Sequence, residues 1–203
     1  SELIDWTIEV EKGKKVKIAS IHFEGNDTVS SKKLRKKGLK NTKQKKFFSL
    51  KASKLIKDKY EDDKHNLINY YQSLGYRDAK IVSDTISRNE KGFDIGIKLE
   101  EGKKYYIGNI EFYGNTVYPT ETLQRLLGYK TGDIYDAVGF NKKVGEDGGK
   151  EDDSDLRSLY MNNGYLFSNI TPIEKSIVGD TINLEIRIAE GRVGFKGKLS
   201  VSF

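Results

Sequence analysis

Ile21-His22-Phe23-Glu24-Gly25-Asn26 and Ile110-Glu111-Phe112-Tyr113-Gly114-Asn115 are two versions of one sentence: an alternating apolar run closed by Gly-Asn, the signature of a strand entering a turn. Their first residues stand 89 apart, and the same offset runs outward in both directions. Gly13, Gly102 and Gly191 are in register, and Gly75-Tyr76 recurs as Gly164-Tyr165. Four alternating apolar slots appear three times: Ile4, Trp6, Ile8, Val10, then Phe93, Ile95, Ile97, Leu99, then Ile182, Leu184, Ile186, Ile188. Self-similarity at a fixed period marks a tandem repeat. The expected organisation is a strand at residues 1–11 left from a preceding unit, unit one at 14–101, unit two at 103–190, and a tail at 192–203. In the tail, Leu199, Val201 and Phe203 alternate as a strand would, but no Gly-Asn closes the run, and the start of a further unit is one of its two readings, a segment outside the repeat the other. The chain therefore reads as a piece of a longer array.

Period and punctuation order the elements inside a unit. In unit one, Val16, Ile18, Ile21 and Phe23 form a strand whose apolar face changes between Ile18 and Ile21, as a bulge requires. Ser30 or Ser31 opens a short helix through Lys37, stopped at Gly38. A longer helix is expected from about Ala52 to Leu74, with Leu55, Ile56, Tyr60, Leu67, Tyr70, Tyr71 and Leu74 at helical spacing and Gly75 at its left-handed end. Ala79–Ser87 and Phe93–Leu99 form a hairpin. Unit two repeats the order from Tyr105, Ile107, Ile110 and Phe112, with Pro119 opening its first helix. Gly145-Glu146-Asp147-Gly148-Gly149 falls where unit one is helical. Glycine costs about 1 kcal/mol per helical position, so a loop and a shorter helix, about Asp153 to Asn163, are expected there. Hairpin strands at Leu166–Glu174 and Thr181–Ile188 close the unit. The fold class is α+β: two helices on one face of a three-stranded sheet in each unit, with the other face and one edge strand exposed.

Composition bounds the function. The 203 residues contain 36 Lys plus Arg, 30 Asp plus Glu, no Cys, and 21 Tyr plus Phe, a count suited to small folded cores. Absence of cysteine excludes disulfides, thiol nucleophiles and Cys-ligated zinc. No run approaches the roughly 18 to 20 apolar residues of a membrane helix, and Ser1–Val10 lacks the order of a signal peptide. The net charge of +6 is uneven: Lys12–Lys64 holds 18 basic and six acidic residues, a block of +12 beside a remainder of −6.

Chemical motifs are tested and set aside. Gly145–Lys150 has three residues, not four, between its outer glycines, and Glu151 stands where a phosphate loop needs Ser or Thr. Asp147–Asp155 lacks the order of a calcium loop. His22 and His65 share no metal spacing, and His22 takes the slot of Glu111 on a strand. Carboxylates are abundant, but no spacing brings two into one cleft. Trp6 shares its slot with Ile95 and Leu184 and is expected in a core. Neither an enzymatic activity nor a cofactor is expected.

The order strand, helix, helix, strand, strand, together with Ile-x-Phe-x-Gly-Asn, the run Gly132-Asp133-Ile134-Tyr135 ahead of the long helix, and Gly-Tyr at its end, resembles POTRA domains. The resemblance covers residues 1–191 and is nearest to the periplasmic arrays of outer-membrane β-barrel assembly factors of the BamA type. Unit one departs by carrying Lys45-Lys46-Phe47-Phe48 in place of the Gly-Asp-x-Tyr run.

The resemblance implies a binding scaffold in the periplasm, tethered by a C-terminal membrane barrel outside this sequence. It implies unfolded outer-membrane protein clients and accessory lipoproteins as partners. It also implies that clients add a strand to the first hairpin strand, whose candidate residues here are Ala79, Ile81, Val82 and Thr85 in unit one, and Ile170 and Thr171 in unit two; the alternative is that these residues only complete their sheets. Lys32, Lys33, Arg35, Lys36, Lys37 and Lys40 form a basic patch, read either as a solvated helix face or as a contact for anionic lipid, acidic protein or nucleic acid. Nucleic acid is not expected, because no aromatic strand platform or Gly-x-x-Gly clamp adjoins the patch. The competing readings are a basic nucleic-acid-binding repeat and the POTRA units of a secretion transporter.

Overall fold

The turn after each opening strand can be made only by glycine. Gly25 and Gly114 adopt φ of +77° and +86°, and a Cβ on either would overlap the carbonyl oxygen of Leu99 or Ile188, the same contact in both units. The left-handed backbone and the close approach of the last strand both exclude a side chain. Asn26 and Asn115 then donate through Nδ2 to the carbonyls of Val29 (2.8 Å) and Tyr118 (3.1 Å), which aims the chain into the first helix.

The computed structural model describes residues 17–44, 54–146 and 154–192. Outside them lie the strand expected at 1–11 with Trp6, the run Lys45–Phe48, the expected helix start at Ala52, Gly148 and Gly149, and the tail from 193. Unit one runs β1 (Ile18–Glu24), α1 (Ser31–Lys37), α2 (Lys57–Gln72), β2 (Lys80–Asn89) and β3 (Gly92–Glu100). Unit two runs β4 (Tyr106–Tyr113), α3 (Thr120–Leu127), α4 (Ala137–Val144), α5 (Leu156–Asn162), β5 (Asn169–Val178) and β6 (Thr181–Ala189). The sheets are ordered β1-β3-β2 and β4-β6-β5, with parallel pairing of the opening and last strands and an antiparallel hairpin.

The fold is α+β in tandem units, as the repeat predicts. The expected bulges are present as register shifts between Ile18 and Ser20 and between Ile107 and Ile110. Several details differ. The last strand of each unit lies in the middle of its sheet, so the opening strand and the first hairpin strand form the two edges. The hairpin strands reach further than expected, β2 to Asn89 and β5 to Val178, and β5 begins at Asn169 rather than Leu166. Gly38 ends α1 in a right-handed conformation; what demands glycine there is space, since a Cβ would overlap Leu67 Cδ1. Unit two carries one more helix than expected, α4. Asp136 caps it by accepting from Gly139 N at 2.8 Å, Phe140 and Val144 pin it to the core, and Gly145 ends it at φ +94°. Gly145, the first residue of the Gly-rich stretch, is its stop signal.

Each unit has its own core. Ile18, Ile21, Leu34, Leu67, Tyr71, Ile95 and Ile97 anchor the first, and Ile107, Leu123, Leu127, Phe140, Leu156, Tyr160 and Ile182 the second. A carboxylate, buried in unit one and half-buried in unit two, ties each core to its first turn. Glu101 accepts from Thr28 N (2.9 Å), Thr28 Oγ1 (2.7 Å), Val29 N (3.2 Å) and Tyr71 Oη (2.8 Å). Glu190, one repeat on, accepts from Thr116 Oγ1, Val117 N (2.8 Å) and Tyr160 Oη (3.0 Å).

Candidate functional site

Four strands lie at sheet edges, and they are not equally open. The outer side of β4 is occupied: Ile107 N donates to Asp133 O at 2.8 Å, Gly132 N to Ile107 O at 2.8 Å and Tyr135 N to Tyr105 O at 3.0 Å. The run Gly132–Tyr135 thus covers the start of β4. In unit one, Lys17 bridges to Lys54 just before β1, and Arg35 Nη1 donates to the carbonyl of Ile21 within β1 at 3.1 Å. β2 and β5, at the opposite edges, are the hairpin strands open on one side.

Every residue of β2 is exposed except Ile81, which is half-buried. The strand bends at Val82, where the register shifts between Ile81 and Ser83, and Val82 is 51% exposed. Beyond the bulge, Asp84 pairs with Ile97 and Ile86 with Ile95, so both lie on the helix side, while Ser83, Thr85 and Ser87 lie on the outer face. Lys64 of α2 holds Asp84 at 3.4 Å. That ammonium is raised above its ordinary pKa chiefly by its hydrogen bond to Glu61, with Asp84 adding to the shift against an opposing cost of burial.

β5 is chemically different. Pro172 sits inside it opposite Ile186, and the register shifts again between Glu174 and Ser176. Proline is accepted within a sheet where the missing N–H would have faced away from the neighbouring strand, so β5 has lost a donor from its free side. Glu174 is engaged by Arg77 of unit one at 2.5 Å and by Tyr135 Oη at 3.0 Å.

The six edge candidates therefore separate. Val82, Thr85 and Thr171 are exposed, and Ile81 packs partly on the unit-one core. Ala79 precedes β2, is buried, and spends its N–H on Tyr76 O at 3.2 Å. Ile170 is a core residue of unit two. Thr85 Oγ1 also lies over Gly96, filling the space that a Cβ there would take. Sequence reasoning did not single out Ile86, 47% exposed in the second half of β2, although it falls inside the strand expected at Ala79–Ser87.

The basic patch residues Lys32, Lys33, Arg35, Lys36, Lys37 and Lys40 are all exposed, and none forms a salt bridge among the described residues. Only Leu34 of α1 is buried. The turn that carries Lys40, the last residue of the patch, is held by a residue that the sequence reading passed over, Asp63. It is buried on α2 and accepts from Lys40 N (2.9 Å), Asn41 N (3.0 Å), Asn41 Nδ2 (3.1 Å) and Thr42 N (2.5 Å). Its place on the stripe Tyr60, Leu67, Tyr71 was the available signal, since a carboxylate at a core slot demands donors. His22 is exposed on β1, with Nε2 3.0 Å from Ser20 Oγ, and His65 is exposed on α2.

Two α+β repeats in tandem, each with a hairpin strand at an open sheet edge, define the class by architecture. The chain belongs to the POTRA family: the family model, described as surface antigen variable number repeat, matches residues 16–102 and 105–191. The outer membrane protein assembly factor BamA of Neisseria meningitidis serogroup B is 24% identical over 98% of this chain, and BamA of Neorickettsia risticii is 26% identical over 83%. This chain spans 24% and 22% of the length of those two relatives. Among solved structures, Haemophilus influenzae BamA POTRA3-5 matches with a TM-score of 0.61 and 20% identity, over 88% of this chain and 67% of that one. BamA of Haemophilus ducreyi lacking POTRA domains 1-3 matches with a TM-score of 0.61 and 17% identity, over 85% and 29%. Both support the fold.

Proposed function

We propose that these two units belong to the periplasmic array of an outer-membrane protein assembly factor, held at the membrane by a barrel elsewhere in the protein. The array receives unfolded barrel precursors and docks accessory lipoproteins. The family membership and the BamA relatives support the scaffold role, and one structural observation carries the finer assignment. Of the two hairpin edges, β2 keeps every backbone donor, whereas β5 contains Pro172. An extended client pairs by main-chain hydrogen bonds and needs those donors, so unit one is the receiving unit and unit two the blunted one. Pairing through backbone groups makes recognition tolerant of client sequence. A single edge binds weakly, and tandem units raise the effective concentration of client at the next site.

The test is site-specific photo-crosslinking in the complete membrane-inserted protein, with the probe at Ile86 on β2 or at Ile177 on β5 and a barrel precursor as client. Capture from Ile86 and little from Ile177 is the expected result. Equal capture at both, or capture only at Ile177, would overturn the assignment.

A further inference from the structure

Lys32, Lys33, Arg35, Lys36 and Lys37 fill the arc of α1 opposite the buried Leu34, and Lys40 follows in the next turn. All six are exposed, and among the described residues none forms a salt bridge; the ion pairs of unit one use Lys64, Arg77, Lys80 and Lys98 instead. Asp63, the acid bonded to the backbone at Lys40, is buried and spent on three successive amides.

The helix does not need this much charge. Cations suit the last turn of α1, but Lys32 and Lys33 stand in its first turn, where the helix end is itself positive and where there is neither an acidic residue nor a side-chain cap. Lys32 and Lys36, and Lys33 and Lys37, are also spaced so that like charges repel. Unit two shows what the fold alone requires at this position. One repeat on, the six residues are Glu121, Thr122, Gln124, Arg125, Leu126 and Tyr129, yet α3 packs through a buried Leu123 as α1 packs through Leu34. Six cations have become one acid, one base and four neutral residues with the architecture unchanged.

Place and chemistry narrow the partner. Arg35 Nη1 donates to Ile21 O within β1 at 3.1 Å, so α1 lies toward the β1 edge, and β2 is the opposite edge of the same sheet. Protein interfaces centre on aromatic and arginine anchors seated in dry pockets and are depleted of lysine. Here Leu34 and Leu39 are buried, no large apolar side chain from α1 to Lys40 is exposed, and every cation but Arg35 is a lysine. A strongly hydrated point charge on a flexible stem suits a diffuse layer of negative headgroups, which attracts a lysine cluster without pockets.

We propose that the α1 patch docks unit one on anionic phospholipid headgroups at the membrane surface, leaving the β2 edge on the far side of the sheet. This rests on the membrane-tethered scaffold proposed above and adds which side of unit one meets the lipid. The attraction is electrostatic and falls as salt screens it.

The experiment uses the full-length protein in nanodiscs of phosphatidylcholine alone or with one third phosphatidylglycerol, both carrying a headgroup acceptor dye. A coumarin amino acid replaces Ser30, exposed just before α1, or Glu121 on α3 as the control. Energy transfer from position 30 is expected to rise several-fold on phosphatidylglycerol, to return to the phosphatidylcholine level at high salt, and to lose the rise in a variant carrying Lys32→Gln, Lys33→Gln, Lys36→Gln and Lys37→Gln, with its fold checked by circular dichroism. Equal transfer in the two lipids, a rise that survives in the glutamine variant, or an equal rise at position 121 would overturn the proposal. So would a signal at position 30 that answers to added polyglutamate or oligonucleotide and not to lipid, which would assign the patch to an acidic protein or a nucleic acid. Precursor capture from Ile86 is read in the same samples: no lipid response with capture intact removes the docking alone, whereas lost capture with the lipid response intact removes only the client reading.

Discussion

The phenol of Tyr71 donates to the buried carboxylate of Glu101 at 2.8 Å, and Tyr160 makes the same bond to Glu190 at 3.0 Å. Burial alone would raise both carboxyl pKa values, but the donors outweigh it, led by Thr28 for Glu101 and Thr116 for Glu190, and both end below the ordinary carboxylate range. The group that closes each unit's last strand is thus also the acceptor that fixes its first turn.

Because both carboxyls are depressed, their contribution to stability is fully present above the unfolded glutamate pKa of about 4.3 and is lost as pH falls through the folded values. Thermal unfolding is expected to show a loss of melting temperature below about pH 4.3 that is smaller in Glu101→Gln, already deprived of the charge. Tyr71→Phe is expected to cost about 1–3 kcal/mol in denaturant unfolding. A pH dependence identical in Glu101→Gln and parent would remove the carboxylate from this role.

The backbone of β2 is expected to matter more than its side chains. Val82 lies at a bulge on a free edge, where proline is tolerated by the sheet. Val82→Pro should keep the circular dichroism spectrum and lower precursor cross-linking at Ile86, while Val82→Thr should leave cross-linking unchanged. Equal loss in both variants would point to side-chain recognition instead.

The first joint should respond to charge. Arg77 and Glu174 are each about a third exposed or less, so their coupling in a double-mutant cycle is expected at about 1 kcal/mol or below. The angle between the units, read by small-angle scattering or residual dipolar couplings, is expected to broaden in Arg77→Ala and in high salt alike. An unchanged distribution in the variant would show that the Gly75–Tyr105 contact holds the units alone.

On α1 one side chain carries the packing. Leu34→Ala is expected to destabilise unit one by about 2–5 kcal/mol, whereas Lys33→Ala, exposed and without an ion pair among the described residues, should stay within about 0.5 kcal/mol. Chemical denaturation distinguishes them directly.

At Gly114 no side chain fits. Gly114→Ala adds a Cβ against the carbonyl of Ile188 on a backbone at φ +86° and is expected to cost more than about 1 kcal/mol. Tolerance of alanine, read in the same unfolding assay, would show that the turn can relax.

The repeat, its bulges, the apolar slots and the family likeness were legible in the sequence, because each depends on local backbone demands that recur at one offset: Gly25 and Gly114 answer the same turn, and Ile95 and Leu184 the same buried slot. Helix α4 was hidden because its glycine-rich end looks like an interruption until Asp136 and Gly145 are seen as its two caps. What only the tertiary structure decided concerns partners distant along the chain. Strand order left β2 and β5 at free edges, Gly132–Tyr135 covered the start of β4, Arg35 engaged one carbonyl of β1, and Pro172 distinguished the two hairpin edges. Asp63 and Glu101 acquired their roles from donors 21 to 23 and 72 to 73 residues away. Leu166 and Phe167 read as ordinary strand residues in the sequence, and only the fold leaves them exposed. Local propensity is written in neighbouring residues, whereas exposure and charge pairing are set by which surfaces the folded chain brings together.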